Sequence, residues 1–109
     1  MTTFDLVVKG GTVATAADVF TADIGVTAGR IAALGHDLAG ARTIDATDKL
    51  VLPGGVDSHC HIEQLSAAGV MNADSFETAT ASAARGGTTT VIPFAAQHVG
   101  TSLTDVAAD

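Results

Sequence analysis

The chain has 109 residues, with five lysines and arginines against twelve aspartates and glutamates, so its formal net charge is -7. Such a surface repels phosphate backbones, and few aromatic rings are present for stacking on bases, so we expect no nucleic-acid partner. The longest run free of glycine and polar residues, 91–96, is too short for a membrane span, and the first residues lack the pattern of a secretory signal. The single cysteine cannot form an internal disulfide, which fits a reducing compartment.

The first half of the chain is predicted to form short β-strands separated by glycine and aspartate turns. Gly10 and Gly11 can take positive φ angles, so residues 4–16 are expected to form two strands joined there by a tight hairpin. Apolar residues at 20, 22, 24 and 26 then alternate with others, a period of two that buries one face and leaves the other in water. A turn at Ala28 and Gly29 leads into three more runs, over 30–34, 42–46 and 49–52.

The pattern changes at Pro53. Proline followed by two glycines permits a sharp change of direction, so we place a domain boundary there. Downstream, Asp74 is expected to cap a helix, with Glu77 three residues later completing a capping-box-like start. Gly86 and Gly87 are expected to end that helix.

A strand and the opening of a second helix complete the pattern. Thr88 to Phe94 is β-branched and almost wholly apolar, as in a strand covered on both faces. Ser102 and Asp105 resemble a helix start. The order of strand, helix, strand and helix predicts the opening of a parallel β/α fold. One such unit cannot close a barrel, so we expect the isolated chain to self-associate rather than act as a small binding module.

Two histidines one residue apart follow the boundary. If residues 56–61 form a strand, Asp57, His59 and His61 lie on one face, and the two histidines are about 6.6 Å apart at the backbone. Both imidazoles can then lean toward one divalent ion such as zinc, while Asp57 orients a histidine through its ring N–H. A His-x-His pair alone is more often two ordinary histidines. Its place at the end of a strand, where β/α folds carry their chemistry, favours the metal site.

Four segments together resemble the amino-terminal part of the dihydropyrimidinases and hydantoinases, cyclic-amide hydrolases of the amidohydrolase superfamily. They are RIAALG (30–35), TIDATDKLVLPGG (43–55), VLPGGVDSHCHIE (51–63) and ARGGTTTVIPF (84–94). The resemblance implies a metal-dependent enzyme that opens the ring amide of a dihydropyrimidine or hydantoin to an N-carbamoyl amino acid. It also implies two divalent ions, expected to be zinc, and a cytoplasmic homo-oligomer, often a tetramer.

The predicted fold class is therefore α/β. Residues 1–52 are expected to be the amino-terminal part of a β-sandwich domain, and residues 53–109 the first strands and helix of a TIM-like (β/α)8 barrel, which the chain leaves incomplete.

Five residues are candidates for the site. By the resemblance, His59 and His61 bind one metal ion, and the remaining ligands lie outside the chain. Asp57 is the candidate catalytic residue. Leu65 and Met71 are candidate substrate-binding residues that select an apolar substituent, although loop packing explains them equally well. The alternative is a non-catalytic assembly protein related to dihydropyrimidinases, against which the retention of both histidines argues.

Overall fold

The computed structural model describes residues 3–108. Strands dominate this part of the chain and helices are few. The elements are β1 (Phe4–Ala14), β2 (Val19–Thr27), β3 (Arg30–Gly35), β4 (Gly40–Asp45), β5 (Leu50–Val51), β6 (Gly55–Cys60), α1 (Phe76–Arg85), β7 (Thr88–Pro93) and α2 (Leu103–Val106). They divide into two compact units, Met1–Pro53 and Gly54–Asp109. Both helices within residues 3–108 are too short to span a lipid bilayer.

The first unit is one five-stranded sheet. Its strand order is β3-β2-β1-β4, and β5 pairs with β1 beyond the end of β4. β2 runs antiparallel to both of its neighbours, whereas β4 and β5 run parallel to β1. The buried core lies on β1 and β2, where Val13, Ala22 and Ile24 form a cluster. The alternation predicted for β2 therefore does bury one apolar row.

The predicted hairpin at Gly10 and Gly11 is wrong. β1 continues through both glycines with a bulge between Val8 and Gly11. A two-residue hairpin turn of type I′ needs positive φ at two successive residues, and of this pair only Gly10, at 72°, has one. The chain turns further on instead, where the Thr15 amide donates to the Asp18 carbonyl at 2.9 Å.

Asp23 lies on the face of β2 that was predicted to be exposed to water, but its side chain is only 4% exposed. Its carboxylate accepts the main-chain N–H of Gly10 at 2.8 Å and that of Leu38 at 3.1 Å. Burial opposes ionisation of this group, but the two amides, with Lys9 and His36 nearby, outweigh it and lower the pKa of Asp23. One buried carboxylate thus holds both the bulge of β1 and the loop after β3.

The second unit contains β6 and β7 as a parallel pair with α1 between them, which confirms the predicted strand, helix, strand order. At the start of β6 the backbone of Gly54 approaches Thr89 so closely that a Cβ there would lie 2.1 Å from the threonine Oγ1. Only glycine fits such an approach. The apolar side chains on these strands are not covered as expected: Val56 is 63% and Ile92 is 55% exposed.

The start of α1 differs by one residue from the prediction. The N-cap is Ser75, whose hydroxyl accepts from the Thr78 amide, and Thr78 rather than Glu77 completes the capping box. Asp74 instead accepts from the Thr78 hydroxyl at 2.9 Å. Serine and aspartate cap helices about equally well, so the local sequence alone does not separate them. The predicted end is confirmed, with Gly86 as C-cap. Ser102 likewise caps α2, as expected.

Candidate metal centre

His59 and His61 come together at the carboxyl end of β6. His59 lies within the strand and His61 directly follows its last residue, Cys60. The two Nε2 atoms are 3.2 Å apart, and the ring centroids are 5.1 Å apart with the planes at 69°. Both rings therefore point toward one place, as the alternation of side chains along a strand predicts. Both side chains are exposed in the described chain.

Phe94 is a third ring in this group. It directly follows β7, and its ring centroid lies 5.4 Å from that of His59 and 5.1 Å from that of His61. The Phe94 amide also donates to the Cys60 carbonyl at 2.8 Å. Phe94 was not a candidate from sequence. Its position directly after β7 is the signal that marks it, because parallel strands bring their carboxyl ends to one edge.

Two polar side chains hold His61, and neither was a candidate from sequence. The Gln64 Oε1 atom is a hydrogen-bond partner of His61 Nδ1. The Asn72 side-chain amide donates to the His61 carbonyl at 2.9 Å. No local pattern marks either contact, because both depend on the fold of the loop after β6.

Asp57 lies two residues before His59 in β6. Its Oδ1 atom accepts the main-chain N–H of His59 at 3.1 Å. From the sequence we expect this carboxylate to meet a ring N–H, whereas its hydrogen bond in the structure is to the main chain. Asp57 therefore steadies the backbone that carries His59.

Leu65 and Met71 face each other across an isolated antiparallel bridge. Both are exposed and line an open groove of about 800 Å³ in the second unit. Gln64 and Phe94, which contact the histidine rings, line the same groove, as does His98. The groove therefore adjoins the histidine pair and brings the apolar candidates beside it.

The metal-ligand set is not complete within this part of the chain. Among residues 3–108, no group of three or more histidine, cysteine, aspartate or glutamate side chains is placed to hold a metal ion. What the described residues offer is two imidazoles at a strand end, a flanking aromatic ring and an adjoining groove. That arrangement defines the class as a protein with a parallel β/α unit that carries two converging imidazoles at the carboxyl end of a strand.

Comparisons with known proteins show which proteins this chain resembles. No protein-family model matches the chain. The D-hydantoinase of Rhizobium radiobacter is 45% identical over 105 residues, covering 95% of this chain and 23% of that protein. An allantoinase of Escherichia coli (strain K12 / DH10B) is 44% identical over 90 residues, covering 82% and 19%. The solved dihydropyrimidinase of Brevibacillus agri NCHU1002 superposes with a TM-score of 0.85 at 38% identity, covering 94% and 22%.

The chain is therefore similar to an amino-terminal portion of the hydantoinases and dihydropyrimidinases, which confirms the predicted resemblance. It spans less than a quarter of the length of the relatives described above.

Proposed function

We propose that the full-length protein is a metal-dependent hydrolase that opens the ring amide of a small cyclic substrate, a hydantoin or dihydropyrimidine, to an N-carbamoyl amino acid. Relatives named for hydantoin, allantoin and dihydropyrimidine substrates support this reaction class. The observation that carries the proposal is the 3.2 Å separation between the Nε2 atoms of His59 and His61.

That separation fits one shared ion. Two nitrogen ligands at zinc-to-nitrogen distances of 2.0–2.1 Å in tetrahedral arrangement lie about 3.3 Å apart. The observed pair matches this value with the backbone as it stands. We therefore propose that His59 and His61 bind one of two divalent ions, zinc, and that residues outside the described chain complete the site. Metal bound there would lower the pKa of a coordinated water and polarise the amide carbonyl, so that hydroxide is available near neutral pH.

The chain's own residues position the reactants in this proposal. Asp57 holds the main chain of His59 through the 3.1 Å bond to its amide. Phe94 flanks both imidazoles, with its ring centroid 5.4 Å from that of His59 and 5.1 Å from that of His61. Leu65 and Met71 present apolar surface along the groove, and we propose that they contact the substituent on the substrate ring.

The two units suit the two domains that the family resemblance implies. We propose that residues 1–52 are part of a β-sandwich and that residues 53–109 begin a TIM-like barrel. The parallel pairing of β6 and β7 around α1 supports the second assignment. The exposed faces of Val56 and Ile92 are surfaces that further barrel elements would cover. By the same resemblance we propose a cytoplasmic homo-tetramer.

The test is the H59A variant of the full-length protein. We expect zinc content and ring-opening rate to fall together, the rate by at least about 100-fold, because an imidazole ligand is lost. H36A is the matched control, since His36 lies in the first unit, and it should keep both. Full zinc occupancy with unchanged turnover in H59A would refute the proposed ligand. A wild-type protein that binds zinc but opens no cyclic amide would instead support the non-catalytic alternative.

A further inference from the structure

Gln64 is the side chain that meets the outer nitrogen of His61. Its Oε1 atom is hydrogen-bonded to His61 Nδ1, on the side of the ring away from His59. We propose that Gln64 is a positioning residue that selects the metal-binding tautomer of His61. This inference rests on the proposed metal site and adds a residue that the family comparison does not assign.

The loop after β6 brings Gln64 back to His61. Glu63 has a left-handed backbone, with φ of 49°, which reverses the chain between the two residues. This conformation is held from α1, because the Glu63 carboxylate accepts the Phe76 amide at 2.9 Å. A left-handed non-glycine residue with its side chain engaged in this way indicates a defined loop path.

Asn72 fixes the same geometry from the other side of the loop. Its main-chain N–H donates to the Gln64 carbonyl at 3.0 Å, and its side-chain amide donates to the His61 carbonyl at 2.9 Å. One residue therefore clamps the backbones of both partners. The Gln64 side chain, which is half-buried, approaches the ring from a braced position.

The hydrogen bond between Gln64 and His61 decides which ring nitrogen of His61 carries the proton. A neutral imidazole carries one N–H, and a glutamine Oε1 can only accept. With Nδ1–H donating to Gln64, His61 keeps its lone pair on Nε2, the atom that lies 3.2 Å from His59 Nε2. Metal-bound histidines usually donate their other ring N–H to such an acceptor, which also raises their basicity. Without the acceptor, His61 is free to place its proton on Nε2, where it blocks the ion.

Asp57 does not replace Gln64 in this role. The Asp57 Oδ1 atom accepts the main-chain amide of His59. Among the described residues, the side-chain oxygen that is hydrogen-bonded to a ring nitrogen of the histidine pair is Gln64 Oε1, which meets His61 Nδ1. The two ligands are thus supported differently, His59 through its backbone and His61 through its ring.

The experiment measures zinc affinity of the full-length protein by chelator competition in Q64M, Q64E and a matched control, Q97M. Methionine keeps the volume but removes the acceptor, so we expect binding about 10- to 100-fold weaker. Glutamate restores an acceptor, so Q64E should bind within about threefold of wild type or more tightly. Gln97 donates to the Thr101 carbonyl, and among the described residues it makes no hydrogen bond to a histidine ring, so Q97M should match wild type. Should Q64M fail to fold, Q64N is the substitute, because its shorter amide does not reach Nδ1.

Wild-type zinc affinity in the acceptor-removal variant, or an equal loss in Q64E, would overturn the role of Gln64. The visible spectrum of the cobalt-substituted protein supplies a second readout, since a changed His61 ligand field should alter the band shape in Q64M and not in Q97M. H59A is measured alongside. If H59A keeps its zinc, the metal site itself fails, whereas loss in H59A with no change in Q64M defeats only the Gln64 inference.

Discussion

The ring of Phe94 lies 5.1 Å, centroid to centroid, from the ring of His61. Phe94 directly follows β7 and His61 directly follows β6, so the contact exists only because these two strands pair in parallel. The Phe94 amide bond to the Cys60 carbonyl continues that pairing beyond the strand ends. The Phe94 ring therefore flanks both imidazoles.

Removing the Phe94 ring should weaken zinc binding by the proposed ligands His59 and His61. We expect F94A to bind zinc about 10-fold more weakly, because supporting contacts around metal ligands typically contribute on this scale. F94L, which keeps bulk, should lose less. The control is F76A, because Phe76 is 46% exposed against 48% for Phe94 and lies at the start of α1, outside this ring group. Chelator competition measures all three, and equal losses in F94A and F76A would contradict the role of Phe94.

Met71 offers a test of the proposed substrate wall. Replacing it with serine removes apolar surface from the groove, and loss of about 1 kcal/mol of contact corresponds to a KM roughly fivefold higher. The rise should appear with a substrate that carries an apolar ring substituent and vanish with the unsubstituted ring. V70S is the control, since Val70 is exposed beside Met71 but does not line the groove. Equal effects on both substrates would assign Met71 to loop packing.

The carboxylate of Asp23 should make local stability depend on pH. Its folded-state pKa is lowered, so its contribution is complete above the unfolded value near 3.9 and is lost as pH falls through the folded value. We expect the amides of Gly10 and Leu38 to be protected from hydrogen exchange at pH 6 and to lose protection under acid conditions.

In D23N that protection should already be about 10- to 100-fold lower at pH 6, the equivalent of losing hydrogen bonds to a charged acceptor. Exchange rates corrected for intrinsic pH dependence provide the measurement. D48N, at an exposed position where asparagine also tolerates the positive φ, is the control. Protection factors in D23N that equal those of wild type would show that the two amides do not depend on this charge.

Substitutions at Ser75 and Asp74 can show which of the two residues caps α1. S75A should destabilise the helix start by about 1 kcal/mol, because the Thr78 amide loses its acceptor. D74A removes only an exposed bond to the Thr78 hydroxyl and should cost less. Exchange protection of the Thr78 amide reports the difference. A larger effect in D74A would restore the capping role that the sequence suggests for Asp74.

Much of the local structure was predictable from sequence because it depends on short-range geometry. Alternation along a strand is a property of the extended backbone, so the apolar row of β2 and the common direction of His59 and His61 followed from spacing alone. Gly86 at the end of α1 was predictable for the same kind of reason. The motif around the histidine pair also carried the resemblance to the hydantoinases and dihydropyrimidinases.

The tertiary structure decided what spacing leaves open. Gly10 forms a bulge rather than a turn because its amide is bonded to Asp23, thirteen residues away, so strand pairing and a buried carboxylate outweigh the local preference for a hairpin. Phe94 reaches the histidines from the neighbouring strand, and Gln64 reaches His61 through a braced loop. The bond of Gly10 to Asp23 and that of Gln64 to His61 each join residues whose separate positions in the chain carry no common pattern. Their meeting depends on which strands pair and how the loop folds, and those are properties of the whole unit rather than of any local segment.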